Sequence, residues 1–267
     1  MCIPIETVKT DSLEMRFFCF GHGGKTLVIL PGLSVQSVMA TADAVADAMA
    51  LFAGNYTVYV FDRRQDLPPV YPVRDMARDT VAAIRALGLH DIYLFGASQG
   101  GMIAQVIAVE NPDLVRKMVL GSTAARVTEQ KDPVLDRWIR LAEAKDRTAL
   151  LLEFGKAIYP PSLFVRYRSL LISSGAQVTD EDLERFVILA KGTEGFSIVD
   201  KLEKIQCPVL VIGVAEDQVL DSDATMEIAE MLERKPDCGL YMYTGYGHAA
   251  YDTAPDYKDR IYAFFEK

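Results

Sequence analysis

The chain has 267 residues, half of them apolar and 24% charged, with 28 basic against 37 acidic side chains and a net charge of −9. An acidic chain with no basic cluster denser than the Arg63-Arg64 pair offers no footprint for a phosphate backbone, which argues against nucleic acid as a partner. Its first residues lack a basic start followed by an apolar run, and polar residues interrupt them well before the roughly 18 apolar residues of a membrane span, so a cytoplasmic protein with no membrane span is expected.

Four scattered cysteines without a CxxC spacing and three isolated histidines suggest neither a disulfide framework nor a metal centre. Nothing in the chain calls for a cofactor. In chain order, Ile3 to Lys9 and Glu14 to Phe20 read as an edge hairpin turned at Thr10-Asp11-Ser12. Lys25 to Leu30 is a continuous apolar run closed by Pro31-Gly32, the pattern of a strand buried on both faces. A helix is expected over Ser37 to Leu51, then a strand over Thr57 to Phe61 running into Asp62-Arg63-Arg64. Val73 to Leu87 has helical periodicity through Met76, Val81, Ile84 and Leu87 and stops at Gly88. Strand Ile92 to Phe95, turn Gly96 to Gly100, helix Gly101 to Glu110 and strand Lys117 to Gly121 follow.

Such alternation predicts an α/β fold with a mostly parallel central sheet and helices on both faces. From Ala125 to Ile205 the strands stop, and helical patterns take over at Val134/Leu135/Trp138/Leu141, Leu150/Leu151/Phe154/Ile158 and Leu183/Phe186/Val187/Ala190. Thr179 and Asp182 form a capping box before the last of these. The rhythm resumes with strand Pro208 to Gly213, helix Ser222 to Arg234, strand Gly239 to Tyr243 and a terminal helix over Pro255 to Glu266. The expected organisation is a core of residues 1–124 and 206–267 with a helical cap, 125–205, inserted between its two pieces.

Gly96-Ala97-Ser98-Gln99-Gly100 matches G-x-S-x-G between a predicted strand and a predicted helix, the context in which that motif raises a serine on a strained turn. The plain alternative is a strand-to-helix turn with Ser98 as helix N-cap. A serine nucleophile needs a base, usually a histidine oriented by a carboxylate. His248 follows the last predicted strand, where strand ends gather in an open sheet, whereas His22 and His90 lie in turns before Ser98. Asp217, in the loop after strand Pro208 to Gly213, is the carboxylate candidate. Glu216 could take that role after a one-residue shift, and Asp221 or Asp223 suits the cap of the next helix.

In the order Ser98, Asp217, His248, the chain resembles the α/β-hydrolase fold superfamily over essentially its whole length. Leu30-Pro31-Gly32-Leu33 looks like that family's oxyanion loop, normally His-Gly-x. Gly-His248 followed by Ala254-Pro255 looks like its histidine loop and final helix. The resemblance implies an oxyanion hole from the backbone N–H groups of Leu33 and Gln99. The chain departs from the family in two places: Pro31 stands for the histidine, and Asp62-Arg63-Arg64-Gln65-Asp66 lacks the glycines that commonly follow the arginine. Asp62 with Arg63 or Arg64 reads as a structural ion pair at a strand end, the alternative being a substrate-anion site.

Trp138, Phe154, Phe164, Tyr167 and Phe186 in the cap, with Tyr246 and Tyr251 beside His248, are candidates for an apolar substrate pocket, although aromatic residues at helical spacing more often only pack. The expected function is hydrolysis of a small carboxylic ester or thioester through an acyl-enzyme. Acyl transfer or carbon-carbon bond hydrolysis by the same triad, and a ligand-binding protein without turnover, are the competing readings. The partner expected is a small-molecule substrate, with a homodimer left open.

Overall fold

In the computed structural model, which describes residues 2–127, 134–233, 235 and 237–267, the buried apolar runs become a sheet. The strands are β1 Ile5–Lys9, β2 Glu14–Gly21, β3 Lys25–Leu30, β4 Tyr56–Arg64, β5 Ile92–Ala97, β6 Val115–Gly121, β7 Val209–Val214 and β8 Cys238–Tyr243. Among the described residues they form one sheet in the order β1-β2-β4-β3-β5-β6-β7-β8. The hairpin partners β1 and β2 run antiparallel, β2 pairs antiparallel with β4, and every other pairing is parallel. Every residue of β5 is buried, as a central parallel strand covered on both faces requires.

The helices are α1 Ala42–Ala48, α2 Val73–Ala86, α3 Gln99–Glu110, α4 Val134–Glu143, α5 Arg147–Ile158, α6 Pro161–Ser174, α7 Asp180–Lys191, α8 Ser222–Leu232, α9 Ala250–Thr253 and α10 Tyr257–Glu266. One core packs α2, α3 and α8 on the sheet through residues such as Met76, Ile84, Ile103, Ile107 and Ile228. The opposite core holds Phe52, Tyr56, Tyr257, Ile261 and Phe265. The helical segment between β6 and β7 has its own apolar centre around Trp138, Leu150, Leu183 and Phe186.

Several elements differ from the expectation. The helix expected over Ser37 to Leu51 is broken into a 3₁₀ turn Val38–Thr41, α1 and a second 3₁₀ turn Ala50–Phe52. These tight ends bring Met39 at one extremity and Phe52 at the other into the core. Strand β4 continues through Asp62-Arg63-Arg64, because the antiparallel ladder with β2 extends to the pairing of Met15 with Arg64. Helix α3 starts at Gln99, two residues before the expected Gly101. The terminal helix is preceded by the single turn α9.

Within 125–205, Arg126 pairs with Ser197 in an isolated antiparallel bridge, and helices occupy the stretch from Val134 to Lys191. Residues 128–133 and the expected helix end at Arg234 lie outside the described residues. The Thr179–Asp182 capping box is present in both directions. No helix among the described residues is long and apolar enough to cross a membrane.

The strands all stay parallel here, but the order in which the chain visits them reverses between β3, whose crossover leads to β4 on one side, and β5, from which the chain proceeds to the other side. Ligands of open α/β sheets bind at such a switch point, outside the carboxyl ends of the strands. The loop after β3 and the turn after β5 therefore meet at the place where Leu33 and Ser98 lie.

Candidate active site

Ser98 adopts φ 52° and ψ −122°, backbone that a residue with a side chain enters at a cost of order 1–3 kcal/mol. The surroundings hold it there. Its N–H donates to the Gly121 carbonyl at 2.8 Å, and its own carbonyl accepts from Gly101 N, Met102 N and Thr123 Oγ1. Glycines make the tight turn sterically feasible: a Cβ on Gly96 would lie 2.5 Å from the Gly100 oxygen, and one on Gly100 would lie 2.0 Å from the Leu30 oxygen. Both obstacles are backbone, which cannot rotate away. Gly100→Ala is accordingly expected to lower the thermal midpoint by at least about 8 °C, or to prevent folding; a melt within about 2 °C of the parent would show that β3 and α3 can separate at little cost.

Ser98 stands at the N-cap position of α3, yet its side chain makes no capping hydrogen bond. The hydroxyl is left available. Among the described residues the backbone N–H groups of Leu33 and Gln99 also donate to no protein acceptor, and a Cβ on Gly32 would lie 3.0 Å from Ser98 Cβ, so the loop after β3 runs close beside the serine.

Asp217 and His248 come from the neighbouring strand ends of β7 and β8. Asp217 Oδ2 lies 2.7 Å from His248 Nδ1, and the two side chains are 2% and 3% exposed. The other carboxylate oxygen accepts from Val219 N at 2.8 Å and Leu220 N at 3.1 Å, which fixes the acid in its turn. A carboxylate acceptor at Nδ1 selects the tautomer that carries its proton there and leaves Nε2 as the basic nitrogen. The histidine loop turns through Gly245 and Gly247 at φ 80° and 67°, and Ala249 N donates to the Ile158 oxygen at 2.9 Å, pinning the loop to the end of α5.

Glu216 is placed differently: its carboxylate accepts from Gly245 N at 2.8 Å, bracing the loop without touching the imidazole. Asp221 caps α8, accepting from Asp223 N. His22 and His90 are exposed, away from these residues.

Ser98, Gln99, Leu33 and His248 line one cavity of about 1340 Å³. No hydrogen bond joins the Ser98 hydroxyl to His248, and such bonds commonly tighten only around a bound substrate. Met102, Val127, Trp138, Phe154, Ile158, Val219, Leu220 and Tyr251 supply apolar wall. Asp136, Glu194, Asp221, Asp223, Glu227 and Glu230 supply carboxylates against one described cation, Arg126, which pairs with Glu227 at 2.5 Å.

Of the aromatic candidates, Trp138, Phe154 and Tyr251 reach the cavity, and the first two rings pack 4.4 Å apart. The others do not line it. Phe186 is wholly buried behind Phe154, Tyr167 packs on Tyr159 at 5.2 Å, Tyr246 packs edge-on against Tyr243, and Phe164 sits half-buried on α6. Helical spacing says which residues share a face but not which neighbour that face meets. The sequence pattern does not reveal the acidic wall from α8, although a helix following β7 must begin at the carboxyl end of the sheet and so beside the site.

Asp62 is not paired with its sequence neighbours. Its carboxylate takes Arg185 of α7 at 2.6 Å, while Arg64 pairs with Asp79 at 3.4 Å. The strand-end carboxylate thus anchors the helical segment to the sheet.

The chain is 25% identical over 228 residues to RutD of Pseudomonas savastanoi pv. phaseolicola, named as a candidate carbamate hydrolase, covering 79% of this chain and 83% of that protein. It is 23% identical over 222 residues to the human serine hydrolase BPHL, covering 80% of this chain and 70% of that one. The structure of MGS-M2, an alpha/beta hydrolase enzyme from a Medee basin deep-sea metagenome library, superposes with a TM-score of 0.86 at 20% identity and 98% coverage of both chains. The family model described as the alpha/beta hydrolase family matches residues 27–257, a span that takes in β3, the Ser98 turn, the inserted helices and the His248 loop, and the chain belongs to that family.

Proposed function

We propose that the protein is a serine hydrolase acting on a small carboxylic ester or thioester. The observation that carries this reading is the uncapped Ser98 hydroxyl on a strained turn, sharing a cavity with a histidine anchored to a buried carboxylate. Ser98 Oγ attacks the acyl carbon as His248 Nε2 takes its proton, and Asp217 holds the ring and stabilises the imidazolium. The oxyanion is received by the N–H groups of Leu33 and Gln99, each such donor contributing about 3–4 kcal/mol in other serine hydrolases. His248 returns the proton to the leaving group, and water releases the acid by the same route reversed. The helical segment 125–205 serves as a cap that keeps bulk water from the acyl-enzyme. The name of RutD supports widening the acyl group to carbamates, whose carbonyl is attacked in the same way.

A fluorophosphonate probe tests the reading, since it labels only an activated serine. Stoichiometric labelling mapped to Ser98 is expected. A protein that stays unlabelled, or labels elsewhere, would overturn the mechanism.

The wall chemistry bears on the substrate. Among the described residues, six carboxylates against one paired guanidinium repel anions and set the cavity against polyanionic thioester carriers, leaving neutral or cationic esters favoured. At low ionic strength kcat/KM for p-nitrophenyl butyrate is expected to exceed that for mono-p-nitrophenyl succinate by about tenfold, the gap narrowing toward 0.5 M salt, where screening acts over about 4 Å. Equal rates at low salt would show that the carboxylates lie outside the substrate's path.

A further inference from the structure

Strand β4 carries Arg63 into the interior behind the serine turn, where its residue is 3% exposed. One nitrogen, Nη2, donates to two acceptors: the Pro31 carbonyl at 2.9 Å and the Gln99 side-chain oxygen at 3.1 Å. Pro31 is separated from Leu33 only by Gly32, and Gln99 directly follows Ser98. A single guanidinium therefore ties the loop bearing one candidate oxyanion donor to the residue bearing the other. The remaining end of the Gln99 amide is also held, donating to the Leu189 oxygen of α7 at 2.7 Å.

The neighbouring carboxylate does not form an ion pair with this cation. Asp62 is occupied by Ser37 Oγ, by the Arg63 backbone N–H and by Arg185, and Arg63 Nε has no partner among the described residues. Burial pulls the guanidinium down to about 10, so it remains charged at neutral pH. Among the described residues this buried cation donates only to neutral groups and has Asp62 only through space, an arrangement more costly than an apolar side chain of similar length filling the same room. A structural filler does not explain it.

We propose that Arg63 is a positioning residue that sets the spacing of the Leu33 and Gln99 N–H groups through its paired hydrogen bonds to Pro31 and Gln99. The proposal rests on the hydrolase reading above. Oxyanion donors act only when they lie about 2.7–3.1 Å from the developing charge. The Leu33 loop has no strand or helix of its own to keep it there.

The test compares Arg63→Met, Gln99→Met, which keeps the backbone donor, their double variant and Arg63→Lys. Each is read by kcat and KM on a neutral ester and by affinity for a trifluoromethyl ketone that adds to Ser98 and creates the oxyanion. Phe52→Leu, in the core on the opposite face of the sheet, is the destabilised control. Arg63→Met is expected to lower kcat about 30-fold with KM within about threefold, and to weaken the ketone by the same factor. Gln99→Met should lose a similar amount, the double variant little more than either alone, and Arg63→Lys should recover part of the loss. Phe52→Leu should lower the thermal midpoint without moving kcat or ketone affinity.

If Arg63→Met melts earlier but keeps wild-type kcat and ketone affinity, or if the two losses add in full, the proposal is overturned while the hydrolase reading stands. Should Arg63→Met fail to fold, Gln99→Met and Arg63→Lys decide: unchanged ketone affinity in both overturns it. A wild-type protein that forms no ketone adduct at Ser98 overturns the hydrolase reading and this proposal together.

Discussion

Ser98→Ala is expected to reduce ester hydrolysis to the background of the bound, uncatalysed reaction, a loss on the order of 10⁶ in kcat by comparison with other serine hydrolases. The fold should survive. The Ser98 side chain makes no capping bond, and the strained backbone is held by Gly121, Gly101, Met102 and Thr123 through main-chain atoms of the serine that alanine retains. Circular dichroism and the thermal midpoint should therefore stay at the parent values while turnover and fluorophosphonate labelling disappear together. A folded Ser98→Ala protein with parental turnover would remove the nucleophile from the proposed mechanism.

The second large effect concerns the carboxylates. Asp217→Asn preserves the volume but offers His248 an amide where it now meets a carboxylate at 2.7 Å. The imidazole can then settle in the wrong tautomer and loses the charge that stabilises imidazolium, for a fall on the order of 10⁴ in kcat. Glu216→Gln changes only a hydrogen bond to the backbone of Gly245, and kcat is expected to stay within about fivefold of the parent. Steady-state kinetics on one neutral ester decides between them. A larger loss at Glu216 than at Asp217 would move the catalytic acid by one residue.

The readability of this chain varied with the range of the interactions concerned. The strands around Ser98 were legible because a parallel strand covered on both faces must be apolar at every position, as β5 is. The Thr179–Asp182 cap was legible because both of its hydrogen bonds close within four residues. Strand β4 runs further than its apolar pattern implies, because the continuation through Asp62-Arg63-Arg64 is dictated by its partner β2, forty residues and more away in sequence. For the same reason the destination of each charge was hidden: Asp62 meets Arg185 across 123 positions, and Arg63 meets Gln99 across 36.

Local physical rules were enough to set the α/β class, the strand-turn-helix context of Ser98 and the chain order of the three candidate catalytic residues. These depend on apolar periodicity, turn glycines and caps, all of which act over a few residues. The tertiary structure decided the rest. It put Asp217 and not Glu216 against His248, sent Phe186 inward and Trp138 to the cavity, lined that cavity with the carboxylates of α8, and set Arg63 between Pro31 and Gln99. Each of these outcomes follows from how whole helices and strands pack. A side chain's periodic position names its face, and only packing in three dimensions determines what that face meets.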